Sequence, residues 1–324
     1  MSEQHIPTKS IVEGAFFAAI TAVLFVISIY VPLLGTVVSF LCPLPIIILT
    51  LRHSLKFAVI ATIISGILVS FLAGPFQGFM VILGFGLLGI ALGYGIRKEY
   101  SFNEIIILGS IISFVSKILI FMIGFWFLDI NPFVFDVEQI NNMVTQSLNF
   151  YSNMGLSGEQ LDSMKETLSQ SLLVVRIALP ALLILSSIFD TFLNYYVARL
   201  VLKRIGYKLH SLTPFINWRA SKSFFWSYCV GIILIFFGTR YNVAQLNKIG
   251  INIQILFTMI FLICGISLAG FLMEKIKVSN FLKWFVYIMI CLFPFFSQIA
   301  TWAGILDVWI DLRALISPDK NKPA

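Results

Sequence analysis

The chain has 324 residues, of which 59% are hydrophobic and 11% charged, and its formal net charge is +7. Soluble domains carry roughly 25% charged residues, so this composition excludes an ordinary water-soluble fold and makes lipid the solvent of most of the chain. The basic residues lie mainly in the breaks between apolar runs, which assigns them to membrane topology and not to a polyanion site.

A helix needs about 20 predominantly apolar residues to cross the hydrocarbon core. In chain order, such runs predict spans at Ile11 to Val31, Gly35 to Leu51, Phe57 to Ala73, Phe76 to Ile96, Glu104 to Leu128, Leu172 to Leu200, Ser223 to Thr239, Ile251 to Met273 and Lys283 to Trp302. The first exceeds the roughly 7 to 15 residues of a signal-peptide core and reads as a retained helix. Pro294 interrupts the last, so the expected fold is an all-α polytopic transmembrane helix bundle of eight or nine spans, with the side of the C-terminus left open.

With the N-terminus in the cytoplasm, the inner breaks hold Lys9, Arg52, Lys56, Arg97, Lys98, Arg199, Lys203, Arg204, Lys208, Arg219, Lys222, Lys275, Lys277 and Lys283. The outer breaks hold Lys165, Arg240 and Lys248. That asymmetry predicts a cell-membrane protein with its N-terminus inside.

Residues 129–170 form the one long loop, with six acids to the single base Lys165. Asp136 with Gln139, and Ser157 with Gln160, have capping-box spacing, and each opens a helical apolar stripe. Two amphipathic helices hinged at Gly155 to Gly158 would cap the bundle from outside; the other reading is that the flanking helices simply extend outward.

Lys117 and Asp190 fall inside the fifth and sixth spans, where a charge at mid-bilayer costs about 2.5 to 3.5 kcal/mol. At 1.5 Å per residue they lie about 20 Å and about 15 Å from the inner ends of their helices, so an intramembrane ion pair between antiparallel neighbours is expected. Asn194 extends the polar stripe by one turn, and Arg176 lies nearer the outside. These four are the candidate substrate-binding residues. The alternative is a buried pair that fixes helix register, with Arg176 snorkelling to the interface. Glu13 opens the first span at the inner headgroup level.

Small residues pair at Ala15 and Ala19, and at Ala18 and Ala22, on faces of the first span that suit close helix docking. Pro43 and Pro45 predict a break in the second span. Gly84, Gly86 and Gly89 spell GxGxxG without the strand a dinucleotide site requires, so they read as packing residues, with Gly89 and Gly93 at GxxxG spacing. His5, His53 and His210 lie in separate segments, and Cys42, Cys229, Cys264 and Cys291 lack metal or redox spacing. No metal, no cofactor, no nucleic acid and no enzymatic activity are expected.

The opening from Glu13 to Lys56, with YVPLLG at Tyr30 to Gly35, PLP at Pro43 to Pro45 and RHSLK at Arg52 to Lys56, resembles the YybS-like bacterial membrane proteins. GILDVWIDLR, Gly304 to Arg313, resembles that family's C-terminal signature, and the likeness covers almost the whole chain. The first six spans are also similar to the S components of energy-coupling-factor transporters, which bind vitamins or trace nutrients. That resemblance implies that one of the alanine pairs docks onto a coupling subunit. The chain departs from it in its further spans and its longer external loop.

Two domains follow from this reading: an S-component-like six-helix domain over 1–204 with the external cap at 129–170, and C-terminal helices and tail over 205–324. The expected function is a vitamin- or micronutrient-binding transporter component that works with coupling and ATPase subunits. The alternative is a membrane scaffold for cell-envelope or division machinery, with the basic loop Arg199 to Lys222 contacting anionic lipid or a cytoplasmic protein.

Overall fold

The structure, a computed structural model, describes residues 8–31, 34–128, 144–148, 152, 158–207, 209 and 213–316. Among these residues the regular structure is helical, without strands. Eight helices are long and apolar enough to cross a membrane, and one bent pair follows them. The protein is an all-α polytopic membrane bundle.

The first spans start and stop where the local chemistry dictates. Helix α1 (Thr8–Tyr30) is followed by α2 (Leu34–Ser39) and α3 (Leu44–Arg52). These last two form one span broken over residues 40–43, where Cys42 N–H donates to Ser39 O and Leu44 N–H to Leu41 O. Pro43 and Pro45 have no N–H to continue an α-helical ladder there. Helix α4 (Leu55–Ala73) ends at Gly74, whose φ of 103° only glycine adopts without strain, and Pro75 then starts α5 (Pro75–Phe79). A π-helical stretch (Met80–Gly86) joins α5 to α6 (Leu87–Arg97), and α7 (Phe102–Leu128) follows.

The next helix, α8 (Glu159–Arg204), is 46 residues long. The amphipathic stretch from Glu159 is thus continuous with the sixth span, which agrees with the reading of an extended flanking helix and not with a separate second cap helix. Residues 144–148 are also helical, while the hinge at residues 155–157 and the first capping box lie outside the described residues. Helices α9 (Lys222–Arg240) and α10 (Ala244–Lys275) complete the eight spans. The bent pair is α11 (Asn280–Leu292) and α12 (Pro294–Ile310), with a 101° bend, and a last turn, α13 (Leu312–Ile316), ends the described chain.

The chain divides into two packed units, residues 1–165 with 183–211, and residues 166–182 with 212–324, so α8 contributes to both. In the first unit α1 lays one face on α3 and α4. Ala18 packs with Ile46, Leu49, Ala58 and Ala61, and Ala22 with Phe25, Cys42, Val69 and Val81. The glycine spacing of α6 serves close approach, as its sequence suggests. A Cβ on Gly89 would sit 2.9 Å from Pro43 O, and one on Gly93 2.6 Å from Thr50 Cβ.

In the second unit α9 and α10 pack antiparallel through Gly231, Gly238 and Gly250. Their partner segment of α8 contains Pro180. Proline inside a helix disturbs the backbone ladder around it, and Asn252 of α10 repairs that disturbance. Its Oδ1 accepts from Ala181 N–H at 2.9 Å, and its Nδ2 donates to Ile177 O at 2.7 Å, bridging two groups that an unbroken helix would pair directly. Asn252→Leu leaves both unpaired in an apolar setting and is expected to cost about 1 to 3 kcal/mol, read as a lower unfolding temperature in detergent. An unchanged temperature would show that the bridge contributes nothing.

Candidate functional site

The fifth and sixth spans bring together the charges that their sequence places in the membrane. Lys117 Nζ on α7 lies 3.1 Å from Asp190 Oδ2 on α8, within the first unit. Lys117 also donates to Ser113 Oγ at 2.6 Å, and Ser113 donates to Asp190 Oδ2 at 3.0 Å. Asn194 completes the set: its Nδ2 donates to Asp190 Oδ1 and to Asp190 O, each at 2.8 Å. Both carboxylate oxygens therefore have donors, as a charge far from water requires. Helices α7 and α8 approach closely one turn away, where a Cβ on Gly109 would collide with Thr191 Cγ2.

The cluster has unused polar capacity. Ser110 Oγ, Ser116 Oγ, Thr191 Oγ1 and Asn194 Oδ1 are buried and find no hydrogen-bond partner in the protein. The Lys117 and Asp190 side chains are 25% and 30% exposed. The pair is neutral as a whole, so it leaves no net charge in lipid. Arg176 is exposed and lies about 21 Å of helix from Asp190, outside this cluster.

The alanine pairs separate. Ala18 and Ala22 are 0% and 3% exposed and are taken up by packing within the unit, whereas Ala15 and Ala19 stand on the exposed face of α1.

Two further polar sites carry no signal in local sequence spacing. At the start of α1, His53 contacts Glu13 Oε2 through Nε2 and Ser10 Oγ through Nδ1, each at 2.9 Å. Arg97 donates to His53 O at 2.6 Å. The Ser10–His53–Glu13 line has the residue types of a nucleophilic triad, yet Ser10 is 3% exposed. The line ties α1 to the end of α3, and α6 closes it from the other side.

The second site explains the GILDVWIDLR stretch. Arg313, 4% exposed, donates through Nε to Asp307 Oδ2 at 3.1 Å and through Nη2 to Trp218 O and Ser267 Oγ at 3.0 Å. Its Nη1 donates to Ile216 O. Burial pushes the guanidinium pKa below its ordinary value, and Asp307 opposes that shift. Beside it Arg219 pairs with Asp311 at 2.7 Å, and that hydrogen bond holds the Asp311 carboxyl below the usual carboxylate range. Gly304 and Gly265 let α12 and α10 touch backbone to backbone. All four cysteines are free, and no cluster of three metal-ligating side chains occurs among the described residues.

Eight apolar helices and a charge pair held between two of them define a multi-pass α-helical membrane protein. The chain belongs to the family described as predicted membrane protein (DUF2232), whose model matches residues 19–308. It is 26% identical over 313 residues to a protein of Bacillus subtilis (strain 168) named "Uncharacterized protein YybS", an alignment that covers 94% of this chain and 98% of that one. No solved structure matches the chain.

Proposed function

We propose that this protein is a non-enzymatic, small-molecule-binding component of a membrane transporter, seated in the cell membrane with its N-terminus in the cytoplasm. The reading is carried by the α7–α8 cluster, a partly exposed neutral ion pair on two helices that also carry buried oxygens without a hydrogen-bond partner. Lys117, Asp190 and Asn194 bind the ligand, a vitamin or micronutrient; Arg176 lies outside that cluster and takes no part in it. The orientation rests on the excess of lysine and arginine in the inner breaks. Coupling and ATPase subunits dock on the exposed face of α1 through Ala15 and Ala19, whose small side chains admit a close helix contact.

The scaffold reading draws on the basic loop before α9. Arg219 of that loop is already paired with Asp311, and the carbonyls of Phe215, Ile216 and Trp218 are bonded within the protein.

Purification in a gentle detergent tests the proposal. A bound ligand at a hundredfold excess over its Kd adds about 2.7 kcal/mol to stability. A vitamin and metal library is therefore expected to give a thermal shift that Asp190→Asn abolishes, and coupling-factor subunits are expected to co-purify. No shift across the library together with no such subunits would overturn it.

A further inference from the structure

The bent pair α11–α12 has an arrangement that its length and hydropathy leave open. We infer that it is a re-entrant wedge occupying one leaflet of the bilayer, not a ninth span, and that both ends of the chain face the same compartment. Helix α11 has 13 residues, about 20 Å, short of the roughly 30 Å hydrocarbon core. It begins just after α10 ends, separated from Lys275 by a turn that passes through Lys277 at a φ of 54°.

The far end of the pair decides its course. A ninth span would finish beside Arg240 and Ala244, at the opposite end of the α9–α10 hairpin. Instead Trp309 packs against Phe225 and Trp226 in the first turns of α9, with Lys222 over its ring. Asp311 pairs with Arg219, and Arg313 holds the carbonyls of Ile216 and Trp218, all in the segment that leads into α9. The pair meets α10 at Phe261, Gly265 and Gly270, in the half of that helix nearest Lys275. It thus starts and finishes at one end of the hairpin.

The outward faces show what surrounds it. Phe281, Trp284, Leu292, Phe295 and Trp302 are between 59% and 83% exposed. In water that much bare aromatic surface is unstable; in acyl chains it is solvated. Eight of the described helices are long and apolar enough to cross; one crossing each would bring the end of α10 to the side from which α1 starts. The pair returns the chain to that side.

Replacing Cys42, Cys229, Cys264 and Cys291 by alanine gives a background for single cysteines at Lys9, Gln245 and Ala324. A membrane-impermeant maleimide applied to intact cells and to inside-out vesicles is expected to label Ala324→Cys in the same preparation as Lys9→Cys, and Gln245→Cys in the other. Labelling of Ala324→Cys together with Gln245→Cys would overturn the inference. Should the cysteine-free chain fail to insert, a reporter fused after Ala324 of the unaltered chain reads the same side. A spin label on Phe295→Cys separates a wedge in lipid from a pair lying in water. Collisions with oxygen should exceed those with a water-soluble nickel chelate, and the reverse would refute the wedge.

Discussion

Asp190→Ala is expected to remove most of the folded protein, because it leaves the Lys117 ammonium at mid-bilayer with only the Ser113 hydroxyl for a partner. The cost should be about 3 kcal/mol, the insertion penalty of a lone central charge. That is the low end of what breaking a fully buried pair costs, because the two side chains are a quarter to a third exposed. The Lys117→Ala/Asp190→Ala double variant should recover most of that loss, since it removes the stranded charge. Thermal unfolding of the single and double variants in one detergent measures the coupling. Losses that simply add would mean that the two charges act independently.

Arg313→Ala should be comparably severe, about 3 to 5 kcal/mol. The guanidinium joins α10, α12 and the segment before α9 at once, and its loss leaves the Asp307 carboxylate, 5% exposed, without a cation. Arg313→Lys should rescue little, because an ammonium cannot present the planar fork that reaches Asp307, Trp218 and Ser267 together. Unfolding temperature and protease sensitivity of the C-terminal helices report the effect. A lysine variant as stable as the parent would show that charge alone is required.

Much of the architecture could be read from the chain because lipid imposes a length rule. Every apolar run is helical; the second and the last are broken at prolines, and the sixth and eighth start well before their expected bounds. At α8 the sequence left two readings open, a separate amphipathic helix or an extension of the sixth span, and the helix runs from Glu159 into Leu172 without a break. No glycine or proline stands between Glu159 and Leu179 to stop it. The Lys117–Asp190 pair was legible because each charge alone is costly in an apolar span.

Other features depended on information that spacing does not hold. Ala15 with Ala19 and Ala18 with Ala22 have the same periodicity, and only the packing of α3 and α4 selects which pair is buried. Asp307 and Arg313 are six residues apart, a separation that does not make neighbours on a helix. They meet because Asp311 adopts a left-handed conformation, φ 47°, that folds the chain back. Asn252 reads as an ordinary polar residue near a helix start until Pro180, 72 positions earlier, is seen beside it.

The length of α8 sets a physical clearance. Its apolar stretch opens near Leu172, so the 13 residues from Glu159 to Ser171 raise the helix tip by about 20 Å beyond the hydrocarbon. That length is what the continuous helix adds past the point where its apolar character begins.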